Sequence, residues 1–125
     1  MAELYTQQCS PCRGDEPALT QYEIEPFLRQ VPEWELDQSK KIPKITRRFS
    51  FDDFAQALSF TNRVGEIAEQ QGHHPRITTE WGKVKVTWWT HKIEGLHAND
   101  FIMASKTNKL YEEFSRNNAG NIKNQ

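Results

Sequence analysis

Two alternating segments on either side of one glycine constrain the fold most strongly. ITTEW, residues 77–81, precedes Gly82, and KVKVTWWT, residues 83–90, follows it. In the second segment Val84 and Val86 occupy alternate positions, which is typical of a strand with one face in a core. A tight turn around the glycine therefore predicts an antiparallel hairpin.

An earlier stretch has the same period and predicts a second pair of strands. EWELD, residues 33–37, alternates apolar residues with charges, and KITRRFSF, residues 44–51, does so after the linker QSKKIP. Arg47 falls on the apolar face of the later strand. A strand tolerates that position if the arginine stem packs and the guanidinium reaches an edge.

Helices are predicted near both ends of the chain. Thr20 and Glu23 have the spacing of a capping box, and Pro32 ends the helical pattern that follows them. The last helix is predicted from about His97 to Arg116. Its apolar face consists of Met103, Thr107, Leu110 and Phe114.

A third helix is predicted between the two strand pairs. Ser50 or Asp52 is suited to its N-cap, and Gly72 is a natural stop. About four turns carry one stripe, made of Phe54, Ala57, Leu58, Thr61, Val64, Gly65 and Ala68. The adjacent histidines His73 and His74 therefore lie just beyond a helix C-terminus.

The predicted order is α-β-β-α-β-β-α, in which strands occur in adjacent pairs. Such pairs favour hairpins, so the expected class is α+β, a four-stranded antiparallel sheet with three helices on one face. The domain is expected over residues 20–118, after an irregular segment 1–19 and before a frayed tail 119–125. Unpaired sheet edges favour a homodimer or homotetramer.

Length and charge exclude several classes of protein. The chain has 125 residues, enough for one core, and a formal net charge of −1. It therefore lacks the basic excess typical of proteins that bind nucleic acid or anionic membranes. Because neither a secretory leader nor an apolar run of membrane-spanning length is evident, the cytoplasm is the expected location.

Both cysteines lie in one short motif, Cys9-Ser-Pro-Cys12. A structural zinc site needs four ligands, and no second cysteine pair or spaced histidine pair completes one. A redox dithiol would require a βαβ context, which is missing from the pattern. The motif is interpreted as an N-terminal turn with structural or tolerated thiols.

Three interpretations of the histidines remain open from spacing alone. His73 and His74 are adjacent, whereas zinc-binding pairs are usually three to five residues apart, although His91 and nearby acids could complete a folded site. Proton transfer is a second interpretation, because histidine titrates near neutral pH and Trp81, Trp88 and Trp89 could wall a flat heterocycle. The third is a purely structural helix terminus.

A longer pattern goes beyond the histidines. It begins with an acidic residue, which three residues separate from His-His-Pro. An aromatic residue follows, nine further residues separate it from a histidine, and an aspartate comes later. It comprises Glu69, His73, His74, Pro75, Trp81, His91 and Asp100. This pattern resembles the pterin-4a-carbinolamine dehydratase family, as do CSPCRGDEPALT and THKIEGL.

The resemblance implies an enzyme, a hydro-lyase that converts 4a-hydroxytetrahydropterin to quinonoid dihydropterin without a metal or redox cofactor. It implies recycling of the pterin cofactor of aromatic amino acid hydroxylases. His73 and His91 would be general acids at the leaving hydroxyl, and His74 would hold the pterin. Glu69 would orient an imidazole or bind the ring.

Further roles carried over by the resemblance concern the surrounding chain. Pro75 would fix the chain that leaves the histidine pair, Asp100 would support the His91 loop, and Trp81 would serve packing or substrate contact. His97 stands where the family usually has Thr or Ser as a helix cap, and it is expected to be a surface substitution that weakens that cap. Asp100 is expected to bond back to the chain entering the helix.

Two alternative functions accompany the resemblance. Members of the family can be dimerisation partners of transcription factors, and related domains are assembly chaperones. Chaperone-like relatives tend to lose the histidines, which this chain keeps. Another pterin-linked task, such as molybdopterin metabolism, would use the same cleft.

Overall fold

The structure is a computed structural model that describes residues 4–10, 14 and 16–123, with side chains described as far as Ser115. Cys12 lies outside the described residues. Two short 3-10 turns cover Leu4–Thr6 and His91–Ile93. The helices and strands are α1 Gln21–Gln30, β1 Glu35–Asp37, β2 Lys44–Ser50, α2 Phe54–Gln71, β3 Arg76–Glu80, β4 Lys83–Trp88 and α3 Ala98–Lys123.

The four strands form one antiparallel sheet in the order β1-β2-β4-β3. Phe49 of β2 lies opposite Val84 of β4, and Ile77 of β3 lies opposite Val86. Helices α2 and α3 contact the sheet, and α1 contacts α3. The predicted α+β class and element order are confirmed, as are the capping box at Thr20 and the hairpin at Gly82.

Aromatic rings dominate the core between the sheet and the helices. Phe49 packs at 4.9 Å between ring centroids against both Phe60 of α2 and Tyr111 of α3, and Trp34 meets it edge-on at 6.0 Å. Burying a ring of this kind stabilises the fold by roughly 1.5–3 kcal/mol. The core therefore joins both long helices to the middle of the sheet.

Arg47 fits the apolar face in the way predicted for it. Its guanidinium lies 4.5 Å from the centre of the Phe49 ring and donates to Asn108 Oδ1 over 2.6 Å. Burial lowers the pKa of Arg47, while the charge of Glu33 opposes that shift. The stem packs and the head reaches a partner at the margin of the core.

Helix α2 departs from the sequence-based prediction in two respects. Its N-cap is Asp53, whose side chain accepts from the Gln56 N–H over 2.8 Å, and not Ser50 or Asp52. The predicted stripe is also rotated, because Phe54 and Leu58 are 44% and 45% exposed. Instead the core receives Ala57, Phe60, Val64 and Ala68.

The physical reason for this rotation is the ring of Phe60. It is fully buried and lies within 6.0 Å, centroid to centroid, of four other aromatic rings, so it determines which face of the helix turns inward. Local periodicity does not show which of the apolar side chains of α2 finds aromatic partners in other elements. The predicted stop at Gly72 is confirmed, with a left-handed φ of 63°.

Helix α3 has the predicted buried face but extends further than expected. Met103 and Thr107 are fully buried, and Leu110 and Phe114 pack against the core. The helix continues to Lys123, beyond the predicted end near Arg116. Within the described residues, no helix is both long and apolar enough to cross a membrane.

Candidate active site

The three histidines of the predicted motif line one cavity. His73 and His74 follow the C-terminus of α2, and His91 begins the 3-10 turn after β4. All three border a cavity of about 470 Å³. The fold therefore brings together imidazoles that are 17 or 18 residues apart in the chain.

Local backbone geometry directs His73 and His74 toward this cavity. Gly72 adopts a left-handed conformation, and the His73 N–H then bonds back to the carbonyl of Ala68 over 3.1 Å. On the opposite side, Thr90 and Gly95 form an isolated antiparallel bridge that closes the loop carrying His91. Each imidazole is thus placed by a chain reversal at the end of a regular element.

His73 is the most constrained of the three imidazoles. Its side chain is 11% exposed, and its Nε2 lies 2.6 Å from Oδ1 of the fully buried Asp100. On one face the ring stacks on Trp88, at 5.7 Å and an interplanar angle of 8°. A carboxylate bonded to Nε2 sets the orientation of the ring and favours the tautomer with a proton on that nitrogen.

Asp100 joins three parts of the fold through its two carboxylate oxygens. Besides His73, it accepts from Thr90 Oγ1 over 2.8 Å and from the His97 N–H over 2.9 Å. It therefore ties the end of α2 and the chain after β4 to the start of α3. The predicted bond back to the chain entering the helix is confirmed.

His74 borders the cavity and pairs with Glu69, which is not among the lining residues. His74 Nε2 is 2.5 Å from Glu69 Oε1, and the two side chains are 59% and 78% exposed. Solvent screens a pair at this depth, so it orients the imidazole more than it stabilises the fold. Of the two roles implied for Glu69, the geometry provides the orientation of a ring.

His91 is exposed and packs against a tryptophan. Its ring centroid is 4.4 Å from that of Trp89, with an interplanar angle of 40°. Trp89 is itself buried, with the cations of Lys44 and Arg76 each 4.9 Å from its ring centre. His91 is therefore supported on one side while it remains open to the cavity.

The structure does not bring every motif residue into contact with the cavity. Trp81 is 70% exposed at the hairpin turn and is not among the cavity-lining residues, whereas Trp88 and Trp89 contact His73 and His91. Pro75 is also outside the lining and directly precedes β3. Trp81 thus neither packs in the core nor borders the cavity.

His97 is not the surface substitution that was expected. Its side chain is only 12% exposed, and its Nε2 lies 2.8 Å from Glu16 Oε2. Its Nδ1 accepts from the Asn99 N–H over 3.0 Å. The imidazole therefore caps α3 with one nitrogen, which places the proton on the other nitrogen, facing Glu16.

Comparison with known proteins decides the family. The sequence model described as pterin 4 alpha carbinolamine dehydratase matches residues 17–110. The chain belongs to this family. The predicted enzyme class, hydro-lyase, is the chemistry for which the family is named, so the sequence-based assignment of family and enzyme class is confirmed.

Relatives within the family match almost the whole chain. A Saccharophagus degradans protein is 50% identical over 112 residues, 90% of this chain and 99% of its own length. A Nitrosococcus oceani protein is 51% identical over 110 residues, 88% of this chain and 97% of its own length. Both bear the provisional name pterin-4-alpha-carbinolamine dehydratase.

Two solved structures share the fold. A transcriptional coactivator/pterin dehydratase from Brucella melitensis has a TM-score of 0.69 at 33% identity and covers 75% of this chain and 98% of its own. A pterin dehydratase-like RuBisCO assembly factor of the alpha-carboxysome has a TM-score of 0.54 at 22% identity. It covers 63% of this chain and 89% of its own. At that identity the second likeness concerns the fold alone.

Sequence analysis missed several residues that line the cavity of this family member. Cys9, Ser10 and Lys92 belong to stretches that resemble the family but were given no role in the site, and Gln71 and Asn99 carried no motif signal. Burial raises the pKa of the Cys9 thiol to about 11, partly opposed by the charge of Lys106. Among the described residues, no group of three or more His, Cys, Asp or Glu side chains is arranged to hold a metal.

Proposed function

We propose that this protein dehydrates 4a-hydroxytetrahydropterin to quinonoid dihydropterin by histidine general acid–base catalysis. The observation that carries the proposal is the convergence of His73, His74 and His91 on one cavity, with the buried Asp100 behind His73. A volume of about 470 Å³ is within the range of small-molecule sites, roughly 300–1,000 Å³. A pterin ring is a ligand of suitable size.

The reaction transfers two protons and breaks one carbon–oxygen bond. A proton is delivered to the 4a-hydroxyl, the C4a–O bond breaks, and its electron pair leaves with water. The N5–H proton passes to a base, and the electrons of that bond form the C4a=N5 double bond. The balance needs one acid and one base near neutral pH and no redox partner.

His73 is the proton-transfer group best supported by the geometry. Because Asp100 engages its Nε2, Nδ1 is the ring nitrogen left to exchange a proton with a bound molecule. The stack on Trp88 keeps the ring from rotating away. Asp100 acts as a positioning residue, through His73 and also through Thr90, the residue before His91.

His91 and His74 complete the proposed site from other directions. His91 is the second proton-transfer group, since it borders the cavity from the loop after β4 while His73 does so from the end of α2. One of these two histidines protonates the leaving hydroxyl, and the other accepts the N5 proton. His74, oriented by Glu69, holds the pterin at the rim. Trp88, stacked on His73, and Trp89, packed against His91, supply the aromatic support of the site.

The wider role follows from the substrate. We propose that the product re-enters the cofactor cycle of an aromatic amino acid hydroxylase, and that the protein acts in the cytoplasm. We also propose a homodimer or homotetramer formed through a sheet edge. Strand β3 is the better candidate, because it is an edge strand of five residues whereas β1, on the other edge, has three.

The direct test follows quinonoid dihydropterin formation with the purified protein. Replacing His73 and His91 together by alanine should reduce turnover to the rate without protein, since each positioned proton-transfer group contributes about 10²–10⁴-fold. Circular dichroism should show the fold unchanged. Trp81→Ala, at the exposed turn, is the matched aromatic comparison and should keep parental turnover.

Three outcomes would contradict the proposal. Parental turnover in the double variant would remove the histidines from the chemistry. Loss of turnover with a chelator would indicate a metal. Co-purification of a protein partner, without dehydration of the carbinolamine by the parent, would favour the assembly role.

A further inference from the structure

An N-terminal strap, defined as residues 4–10, packs along α3 and precedes the residues that the family model matches. Its first part is anchored by three contacts. Leu4 is 6% exposed within the core, and the carbonyl of Tyr5 accepts from Lys106 Nζ over 2.9 Å. Lys109 lies 5.1 Å from the centre of the Tyr5 ring. One face of α3 thus holds the start of the strap.

The end of the strap is held by two side-chain amides at the cavity. Asn99, only 2% exposed, accepts from the Ser10 N–H over 3.0 Å and donates to the Ser10 carbonyl over 2.7 Å. Gln71 Oε1 accepts from the Cys9 N–H over 2.9 Å. Backbone groups that would otherwise need water are therefore satisfied by residues from the ends of α2 and α3.

Cys9 and Ser10 consequently line the same cavity as the histidines. The Cys9 thiol faces the carbonyl of Asn99, with a sulfur-to-oxygen distance of 3.9 Å. Residues that precede the family match therefore complete a site whose other lining residues lie within it.

We propose that Asn99 and Gln71 are positioning residues that dock the strap, and that the docked Cys9 and Ser10 form one wall of the pterin pocket. This inference rests on the proposed function. Undocking removes a wall and leaves His73, His91 and Asp100 in place. The strap therefore governs substrate binding, and the proton-transfer step is independent of it.

The first test uses Cys9 as a reporter of docking. In a Cys12→Ser background Cys9 is the sole cysteine, and its alkylation by iodoacetamide at pH 8 is followed by mass spectrometry. Asn99→Ala removes both bonds to Ser10 and should accelerate alkylation about tenfold or more, as expected for the loss of two net hydrogen bonds. Asn108→Ala is the matched control, since it removes an asparagine of the same helix that bonds Trp34 and Arg47.

The second test separates binding from chemistry. Asn99→Ala should raise KM by the factor by which the docked fraction falls, up to about tenfold, with kcat unchanged. Saturating 7,8-dihydrobiopterin should slow Cys9 alkylation in the Cys12→Ser protein. If Asn99→Ala does not fold, Gln71→Ala tests the same docking through the loss of one bond.

The outcomes distinguish this inference from the proposed function. Equal alkylation rates in the parent, Asn99→Ala and Gln71→Ala would overturn docking by these residues. Faster alkylation of Asn99→Ala with an unchanged KM, together with no protection of Cys9 by the pterin, would contradict the proposal that Cys9 and Ser10 form a wall of the pterin pocket. A parent without turnover would count against the proposed function alone, because alkylation is measured without catalysis.

Discussion

At the scale of single residues, Asp100 links three parts of the site. It is fully buried and accepts from His73, Thr90 and the His97 backbone. A buried carboxylate is costly unless such donors satisfy it. The spacing of the motif indicated that Asp100 matters, but the bond to His73 spans 27 residues and could not be derived from a local pattern.

Replacing Asp100 by asparagine should weaken both fold and reaction. One amide oxygen cannot accept from all three donors, and the NH₂ group must face one of them. We expect a loss of about 1–3 kcal/mol in the free energy of unfolding, measured by urea denaturation. Turnover should fall by up to the roughly 10⁴-fold that a positioned proton-transfer group contributes.

The matched control is Asp37→Asn, where an accessible carboxylate accepts from Ser39. There the free energy of unfolding should change by no more than about 0.5 kcal/mol. Equal effects at the two positions would contradict the special role of the buried carboxylate.

Cys9 gives the pH prediction at this scale. Burial raises its pKa from the ordinary value of 9.0 to about 11, so folding disfavours the thiolate. The stabilising contribution is complete below pH 9.0 and is lost as pH rises through about 11. In a Cys12→Ser background, the free energy of unfolding should therefore fall more steeply between these pH values than in the same protein with Cys9→Ala. Parallel curves would show that the thiol is not desolvated.

At the scale of elements, the end of α2 decides where the histidines lie. The helix stops because Gly72 adopts a φ of 63°, and this reversal directs the following residues to the cavity. The stop was predictable from the glycine. The N-cap and the inward face were not, because Asp53 competes with nearby candidates and Phe60 is selected by aromatic partners from β2 and α3.

Two glycines of α2 should respond oppositely to alanine. An added Cβ meets nothing within 4 Å at either Gly65 or Gly72, so only the backbone distinguishes them. Gly65→Ala, inside the helix, should stabilise the protein by about 0.5–1 kcal/mol. Gly72→Ala should destabilise it by about 1–2 kcal/mol, because its φ is left-handed. Urea denaturation measures both, and a shift of the same sign would contradict the assignment.

At the scale of the whole molecule, the sheet leaves edges at β1 and β3. Each edge presents unpaired backbone groups to any strand that approaches. The alternation of the strands predicted the sheet, and with it the existence of edges. The strand order, which makes β3 and not β4 an edge, followed from how the hairpins pack.

The predicted oligomer gives the test at this scale. Light scattering should give a mass of at least twice the 14.6 kDa of one chain. Thr78→Glu adds a charge to the β3 edge opposite Lys85, which keeps the hairpin paired, and should shift the mass toward one chain. Gln38→Glu, which adds the same charge beside β1, should leave the mass unchanged. A parent of 14.6 kDa would contradict the proposed assembly.

The sequence by itself determined the number, type and order of elements, the helix stop at Gly72 and the motif that identifies the family. Those features depend on neighbours a few residues apart, through alternation, capping and backbone conformation. Only the tertiary structure decided the rotation of α2, the pairing of His73 with Asp100, the pairing of His97 with Glu16 and the docking of Cys9 and Ser10 on Gln71 and Asn99. These contacts join residues 27 to 90 positions apart, or depend on rings from several elements, and no local period records such distances.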